Sequence, residues 1–185
     1  MQATTILMRE HELILRGVAV LERMATRATA GRAVPAGDAN AIIYFIRNFA
    51  DGCHHAKEEG VLFPAMEAAG MPRQGGPIGV MLAEHDQGRA AVKTMADAVN
   101  LFEMSPDSQG VFARAAGAYA SLLTSHIDKE NTILFRMADR MIGPTQDDDL
   151  VRAYGVHEAQ ATDSDVHERS LKLVEQLETA YPATA

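Results

Sequence analysis

Tryptophan is absent from the sequence, cysteine occurs once, and aromatic residues make up only 5% of the 185 residues. A single cysteine excludes an intrachain disulfide, which fits a reducing compartment. No apolar run approaches the roughly 18 residues that a membrane-spanning helix needs, and residues 1–5 lack the charged and apolar regions of a signal peptide. We therefore expect a cytoplasmic protein that has no membrane partner.

Positively charged residues are also few. Lysine and arginine total 17 residues against 25 aspartates and glutamates, which gives a formal net charge of −8. This balance argues against a nucleic-acid backbone or an anionic lipid surface as a partner. The hydrophobic share of 47% and the charged share of 23% are ordinary for a globular protein, and the length suits one domain with a sizeable core.

Long runs of β-branched residues are missing, whereas alanine, leucine, methionine and glutamate, which favour helices, are frequent. Apolar residues recur at helical spacing in four long stretches, which predicts helices at about 4–29, 38–70, 78–104 and 105–142. Ser105 and Pro106 open the last of them. Short loops join these helices, so we predict an all-α fold, an up-down-up-down four-helix bundle. We assign residues 1–144 to the bundle and residues 145–185 to a C-terminal helical extension packed on it, with a helix at 165–180.

Each of the four predicted helices carries one histidine within its apolar stripe. These histidines are His11, His54, His85 and His126. Glu58 and Glu130 follow the second and fourth of them by four residues, a spacing that places each pair on one helix face. Burying an unpaired carboxylate is costly, and metal coordination relieves that cost. A single such histidine is best explained as a satisfied core group, but six residues on four successive apolar faces favour a metal site.

The order His, His-x-x-x-Glu, His, His-x-x-x-Glu, with one helix per term, resembles the hemerythrin-like cation-binding (HHE) family over residues 5–142. Local motifs support the resemblance: Glu10-His11, His54-His55-Ala-Lys-Glu58-Glu59 leading to Leu62-Phe63-Pro64, and Glu84-His85. The resemblance implies a non-haem di-iron site inside the bundle, with two iron ions bridged by oxide or hydroxide. It gives the ligand roles to the six residues named above, with Glu58 and Glu130 as bridges.

The sequence departs from oxygen-carrying hemerythrins at two positions. Met81 stands where those proteins have a second histidine one turn before the third-helix ligand. Asn131 stands where they have a bridging aspartate, and the carboxylate comes one residue earlier, as Glu130. With one imidazole fewer, we expect open coordination positions on both metals. This favours redox reactivity over simple O2 storage.

Several residues near the motifs are not expected to bind the metal. On a regular α-helix His55 and Glu59 lie off the inward face, so we expect both to be solvated. Arg89 could donate hydrogen bonds to groups around the metal ligands, or its side chain could extend into solvent. We favour the second interpretation. Tyr119 is interpreted as a core residue that could line a pocket. The remaining residues of this kind are Cys53, expected to be a buried filler, and His157 and His167, expected at the surface.

The predicted function is the binding, and the reduction, of a small oxidant: O2, peroxide or NO. Enzymatic activity stays open, with peroxidase-like, catalase-like or NO-reducing turnover as the candidates. The expected partners are this diatomic or peroxide ligand and an unidentified redox partner. The alternative is a non-catalytic O2 or NO carrier or sensor, or a module that stores or donates iron. A metal-free helical scaffold is the third possibility.

Overall fold

The computed structural model describes residues 1–105, 107–160 and 165–183, and within these ranges it contains helices and loops but no β-strand. Pro106, expected in the first turn of the fourth helix, lies outside the described residues. No helix in the described ranges has the length and apolarity required to traverse a lipid bilayer. The predicted all-α class is confirmed.

Four long rods form the bundle. The first is α1, Gln2–Thr29. The second runs without interruption over 36–68 and consists of α2 (Ala36–Phe45), two π-helical stretches (Ile46–His55 and Glu58–Leu62) and α3 (Phe63–Ala68). The third is α4, Pro77–Val99. The fourth runs over 108–141 and consists of α5 (Ser108–Lys129), a π-helical turn (Glu130–Leu134) and α6 (Phe135–Met141).

Two further helices follow the bundle, α7 (Pro144–Gln160) and α8 (Val166–Ala180). The bundle with an additional C-terminal helix is therefore confirmed, although α7 is longer than the short helix expected there. Asp147 of α7 accepts hydrogen bonds from the backbone N–H groups of Gln2 and Ala3, at 2.7 and 2.8 Å. This distant cap explains why α1 begins before Thr4. The domain division at residue 144 stays a prediction.

The apolar core consists of two clusters separated by a layer of buried polar side chains. Each rod contributes to both clusters. On α1, for example, Leu7 belongs to one cluster and Ile14 to the other, and His11 lies between them. On α4, Met81 and Val92 flank His85 in the same way. The histidines of the four rods therefore lie at one level of the bundle, which is the arrangement that a shared metal site requires.

Several large apolar residues of the rods are exposed, among them two on α1 and one on the fourth rod. Met8 and Leu15 of α1 are 41% and 36% exposed, and Ile133 is 53% exposed. Met8 and Leu15 each lie one residue past a buried position, at the edge of a narrow apolar stripe. Ile133 belongs to the π-helical turn Glu130–Leu134, whose wider backbone ring changes the direction of the following side chains.

Candidate metal centre

The second rod presents two consecutive histidines to the interior. His54 is 1% exposed and His55 is 6% exposed, so the expectation of a solvated His55 is wrong. The prediction assumed the 100° step of an α-helix. Residues Ile46–His55 form a π-helix instead, whose i→i+5 hydrogen bonds widen the turn and reduce the angle between neighbouring side chains. Both imidazoles therefore reach the polar layer.

The inward-facing histidines form two groups, which we call side A and side B. Side A consists of His11 and His54, and side B consists of His55, His85 and His126. The Nε2 atoms of His85 and His126 lie only 3.1 Å apart, as expected for two imidazoles aimed at one point. His55 stacks on His85 with ring centroids 3.9 Å apart.

Glu58 and Glu130 lie between the two sides. Glu58 turns Oε1 towards His54 Nε2 and Oε2 towards His85 Nε2, each at 3.5 Å. Glu130 turns Oε2 towards His11 Nε2 at 3.2 Å and Oε1 towards His126 Nε2 at 3.3 Å. Each carboxylate therefore has one oxygen on each side, which is the geometry of a bridging ligand.

Several of these atoms lack hydrogen bonds although they are buried. Nε2 of His11, Nε2 of His54 and all four carboxylate oxygens of Glu58 and Glu130 have no hydrogen-bond partner. A buried polar atom without a partner costs about 1–3 kcal/mol, and more when it is charged. Ligand atoms of His11, His54, Glu58 and Glu130 lie within 4.8 Å of one another, and so do those of His55, Glu58, His85 and His126. The residues fit two cations that share Glu58.

The outer nitrogen of every inward histidine is held by an oxygen atom. The Nδ1–H group of His54 donates to Glu10 at 2.9 Å, that of His126 to Glu84 at 2.9 Å, and that of His85 to Glu59 at 2.7 Å. The two remaining pairs are His11 with Asn131 at 2.9 Å and His55 with Asp51 at 3.3 Å. These bonds fix the tautomer that leaves Nε2 free to bind a metal. Glu59, expected to be solvated, is partly buried and holds His85.

A comparison with known proteins identifies the family of the chain. Residues 2–138 match the family described as the hemerythrin HHE cation binding domain. The chain belongs to this family. The resemblance to this family that the sequence indicated is thereby confirmed. The two groups of histidines and glutamates lie in a domain that binds cations.

The HHE chain is also similar to several curated proteins. It is 38% identical over 91 residues to the iron-sulfur cluster repair protein YtfE of Musicola paradisiaca, a match that covers 47% of this chain and 40% of YtfE. It is 26% identical over 130 residues to uncharacterized proteins of Mycobacterium bovis (Mb2018) and Mycobacterium tuberculosis (Rv1995), over 70% of this chain and 50% of each relative. The chain spans half or less of the length of these relatives. No solved structure matches it.

Outside the histidines of the HHE chain lies a second layer of paired charges. Arg89, for which solvent exposure was favoured, binds Asp51 through Nε at 2.9 Å and Glu59 through Nη2 at 2.6 Å. It therefore connects the carboxylates that hold His55 and His85. Lys129 pairs in the same way with Glu84, the partner of His126. A cation thus compensates each carboxylate that orients a histidine.

On side A this charged layer includes residues from the C-terminal helices. Lys57 is 0% exposed and its Nζ binds Glu10, the partner of His54, and Glu158 of α7, the latter at 2.6 Å. Nε2 of His167 on α8 lies 3.3 Å from Glu158 and 3.5 Å from Cys53 Sγ. Cys53 is buried and His167 is exposed, both as expected, but His167 also contacts this charged layer. The sequence offered no local signal for these contacts because α7 and α8 lie far along the chain.

Protonation balances the charges of the centre when no cation is bound. Burial alone lowers the pKa of His54, but the negative charges of Glu58 and Glu10 raise it to about 10. Burial also lowers the pKa of His126, but the negative charge of Glu130 raises it to about 9. Burial lowers the pKa of His55 to about 4, so this imidazole is neutral at pH 7 and ready to coordinate. Cation binding therefore displaces protons from His54 and His126.

Proposed function

We propose that this HHE protein is a non-haem di-iron protein that binds a small oxidant, O2, peroxide or NO, and reduces it. The observation that carries the proposal is the placement of Glu58 and Glu130, with one oxygen of each carboxylate on each side of the centre. Imidazole and carboxylate together suit iron. When bound, two ferrous ions supply the two electrons that the reduction of a peroxide requires.

The ligands that we propose are the six predicted residues together with His55. Side A then offers two imidazoles and side B three, in addition to the shared carboxylates. The expectation of openings on both metals assumed that His55 is solvated, and its burial removes that assumption. His55 supplies the imidazole that Met81 does not. The uneven donor set supports side A as the place where the small oxidant binds.

The contribution of the protein itself is orientation and the exclusion of water. The bonds from Nδ1 to Glu10, Glu59 and Glu84 hold the imidazoles in place before a metal arrives, which reduces the cost of ordering them. The apolar clusters on both sides of the polar layer limit the contact of the centre with bulk water. Charge interactions are stronger in such surroundings than in water. The single free cysteine and the negative net charge support work in the cytoplasm without a nucleic-acid or membrane partner.

Metal analysis, optical spectra and peroxide consumption test the proposal together. We expect two iron atoms per chain, a near-ultraviolet band that changes with peroxide or NO, and catalytic consumption of one of them. The double variant His54→Ala/His126→Ala should lose the iron and the activity. His157→Ala, which removes a histidine outside the centre, is the matched control. Less than one iron per chain, or a reaction that stops after one equivalent, would contradict the proposal.

The similarity to YtfE favours iron donation as the second candidate. YtfE carries the description of an iron–sulfur cluster repair protein, and this chain is 38% identical to it over 91 residues. Under this alternative the loaded protein transfers iron to an iron-free ferredoxin and does not turn over peroxide. Measuring both reactions on one preparation separates the two functions.

A further inference from the structure

A cavity of about 160 Å³ opens next to side B, between the second rod, α4 and α5. We call it the side B chamber. His55, His85 and His126 line it together, whereas none of the described lining residues belongs to side A. The chamber therefore touches the imidazoles of the side that has three histidines and not the side where we place the oxidant.

The walls of the chamber are mainly apolar. The apolar residues that line it are Ile46, Gly88, Val92, Tyr119, Leu122 and Leu123. Two carboxylates, those of Asp51 and Glu84, and three cationic side chains, those of Arg47, Arg89 and Lys93, also line it. Apolar walls with a few fixed polar groups are typical of binding sites for small organic molecules. A carboxylate can accept more hydrogen bonds than the two that its present partners use.

The volume indicates a ligand of the size of one aromatic ring. An apolar protein cavity of about 150 Å³ is large enough to hold benzene. The chamber is slightly larger, at about 160 Å³. A diatomic molecule or hydrogen peroxide would leave most of this space unfilled.

Charge pairing at the rim indicates an uncharged ligand. Three cationic side chains line the chamber. Arg89 already binds Asp51 and Glu59, and Lys93 binds Asp97 at 2.6 Å, so neither requires a second anion. Arg47 is exposed and its charge is solvated. The carboxylates of Asp51 and Glu84 favour a ligand that donates a hydrogen bond. An aromatic ring that carries a hydroxyl group combines these properties.

We propose that the side B chamber binds a small phenol, which serves as the reductant of the centre. The inference rests on the proposed function, since it names the electron donor for the same site. The ring packs against Tyr119 and the leucines, and the hydroxyl donates to Asp51 or Glu84. Electrons leave the phenol through the imidazoles of side B, while the oxidant binds on side A.

The reaction balances without another reagent when hydrogen peroxide is the oxidant. Two phenol molecules each lose one electron and one proton, so two O–H bonds break and two phenoxyl radicals form. Hydrogen peroxide takes up the two electrons and the two protons, its O–O bond breaks, and two water molecules are released. The chamber holds one phenol at a time, so the two electrons arrive in succession.

Gly88 determines how much space the ring has. A Cβ atom at this position would lie 3.4 Å from Cε2 of Tyr119, so a longer side chain would fill the chamber. Gly88→Leu therefore blocks the chamber and also favours the helical conformation of α4. Ala90→Leu adds a comparable side chain at an exposed position of the same helix and is the matched control. Leu122→Phe fills the chamber from α5 and replaces Gly88→Leu if that variant does not fold.

The test uses the full chain as purified with its metal. Calorimetric titration with phenol should show saturable binding to the wild type and to Ala90→Leu, and at least tenfold weaker binding to Gly88→Leu. Peroxide consumption driven by phenol should fall at least tenfold in Gly88→Leu. When Gly88→Leu is first reduced with dithionite, its single-turnover reaction with peroxide should match that of the wild type. Dithionite reduces the centre without binding in the chamber.

The outcomes separate the inference from the proposed function. If dithionite-reduced wild type reacts with peroxide but does not bind phenol, the inference is overturned and the proposed function stands. The inference is also overturned, and the proposed function stands, if Gly88→Leu consumes peroxide with phenol at the same rate as the wild type. If reduced wild type does not react with peroxide, the proposed function fails and the inference fails with it.

Discussion

Replacing Lys57 with methionine tests the charged layer around side A. Lys57 is 0% exposed and Glu10 is 5% exposed, so their ion pair is removed from water. Lys57→Met leaves the Glu10 carboxylate buried with His54 as its main remaining partner. Breaking a buried pair by removing one partner costs about 3–5 kcal/mol. For a chain of this length the loss corresponds to a decrease in Tm of about 6–20 °C.

A double variant identifies the pair as the cause. Lys57→Met/Glu10→Gln removes both charges, and the amide oxygen of the new glutamine can still accept the bond from His54. We expect this double variant to be about 2 kcal/mol more stable than Lys57→Met alone. Lys93→Met is the matched control, since it breaks an exposed pair with Asp97, whose side chains are 75% and 61% exposed. That substitution should change stability by less than about 0.5 kcal/mol.

Thermal and urea unfolding of the four proteins, together with iron content, are the measurements. Lys57→Met should also retain less iron on side A, because loss of an outer hydrogen-bonded group lowers metal affinity by about 10- to 100-fold. The reasoning is refuted if Lys57→Met and Lys93→Met unfold at the same temperature with the same iron content. It is also refuted if the double variant is no more stable than Lys57→Met.

Four further predictions concern pH, side B and the C-terminal extension. The raised pKa values of His54 and His126 mean that cation binding releases two protons, so affinity measured by competition with a chelator should rise about 100-fold per pH unit from pH 7 to 8.5. For the same reason, the contribution of His54 and His126 to the stability of the cation-free protein should be complete below pH 6.5 and be lost as the pH rises through about 9 and 10, as unfolding at each pH will show. Arg89→Gln should lower iron retention on side B about tenfold, whereas Arg73→Gln, which breaks a surface pair, should not. Asp147→Ala removes the cap of α1 and should cost about 1 kcal/mol in urea unfolding.

The fold and six of the inward residues could be predicted because α-helical periodicity and the spacing of His54 and Glu58 are local properties of the chain. His55 could not, because its direction depends on the π-helical stretch Ile46–His55. An α-helical step of 100° per residue directs it to solvent. The Asp51–His55 hydrogen bond, between residues four apart, is the one local signal that could have suggested its inward position.

The outer partners were unpredictable for a different reason. The doublets Glu10-His11 and Glu84-His85 are conspicuous in the sequence, but each glutamate binds a histidine on another rod. Glu10 holds His54, and Glu84 holds His126. Which carboxylate meets which imidazole depends on the rotation and axial offset of neighbouring rods. Periodicity within a single rod contains no information about either.

The two sides of the centre differ because they are enclosed by different parts of the chain. On side A, α7 and α8 cover Lys57 and Glu10 with Glu158 and His167, so the charges there are buried and costly to disturb. On side B, the corresponding cation, Arg89, remains 39% exposed beside an open chamber. An enclosed side with fewer imidazoles suits a small oxidant that must be kept from bulk water. An accessible side with three imidazoles suits the delivery of electrons from a larger molecule that need not bind the metal.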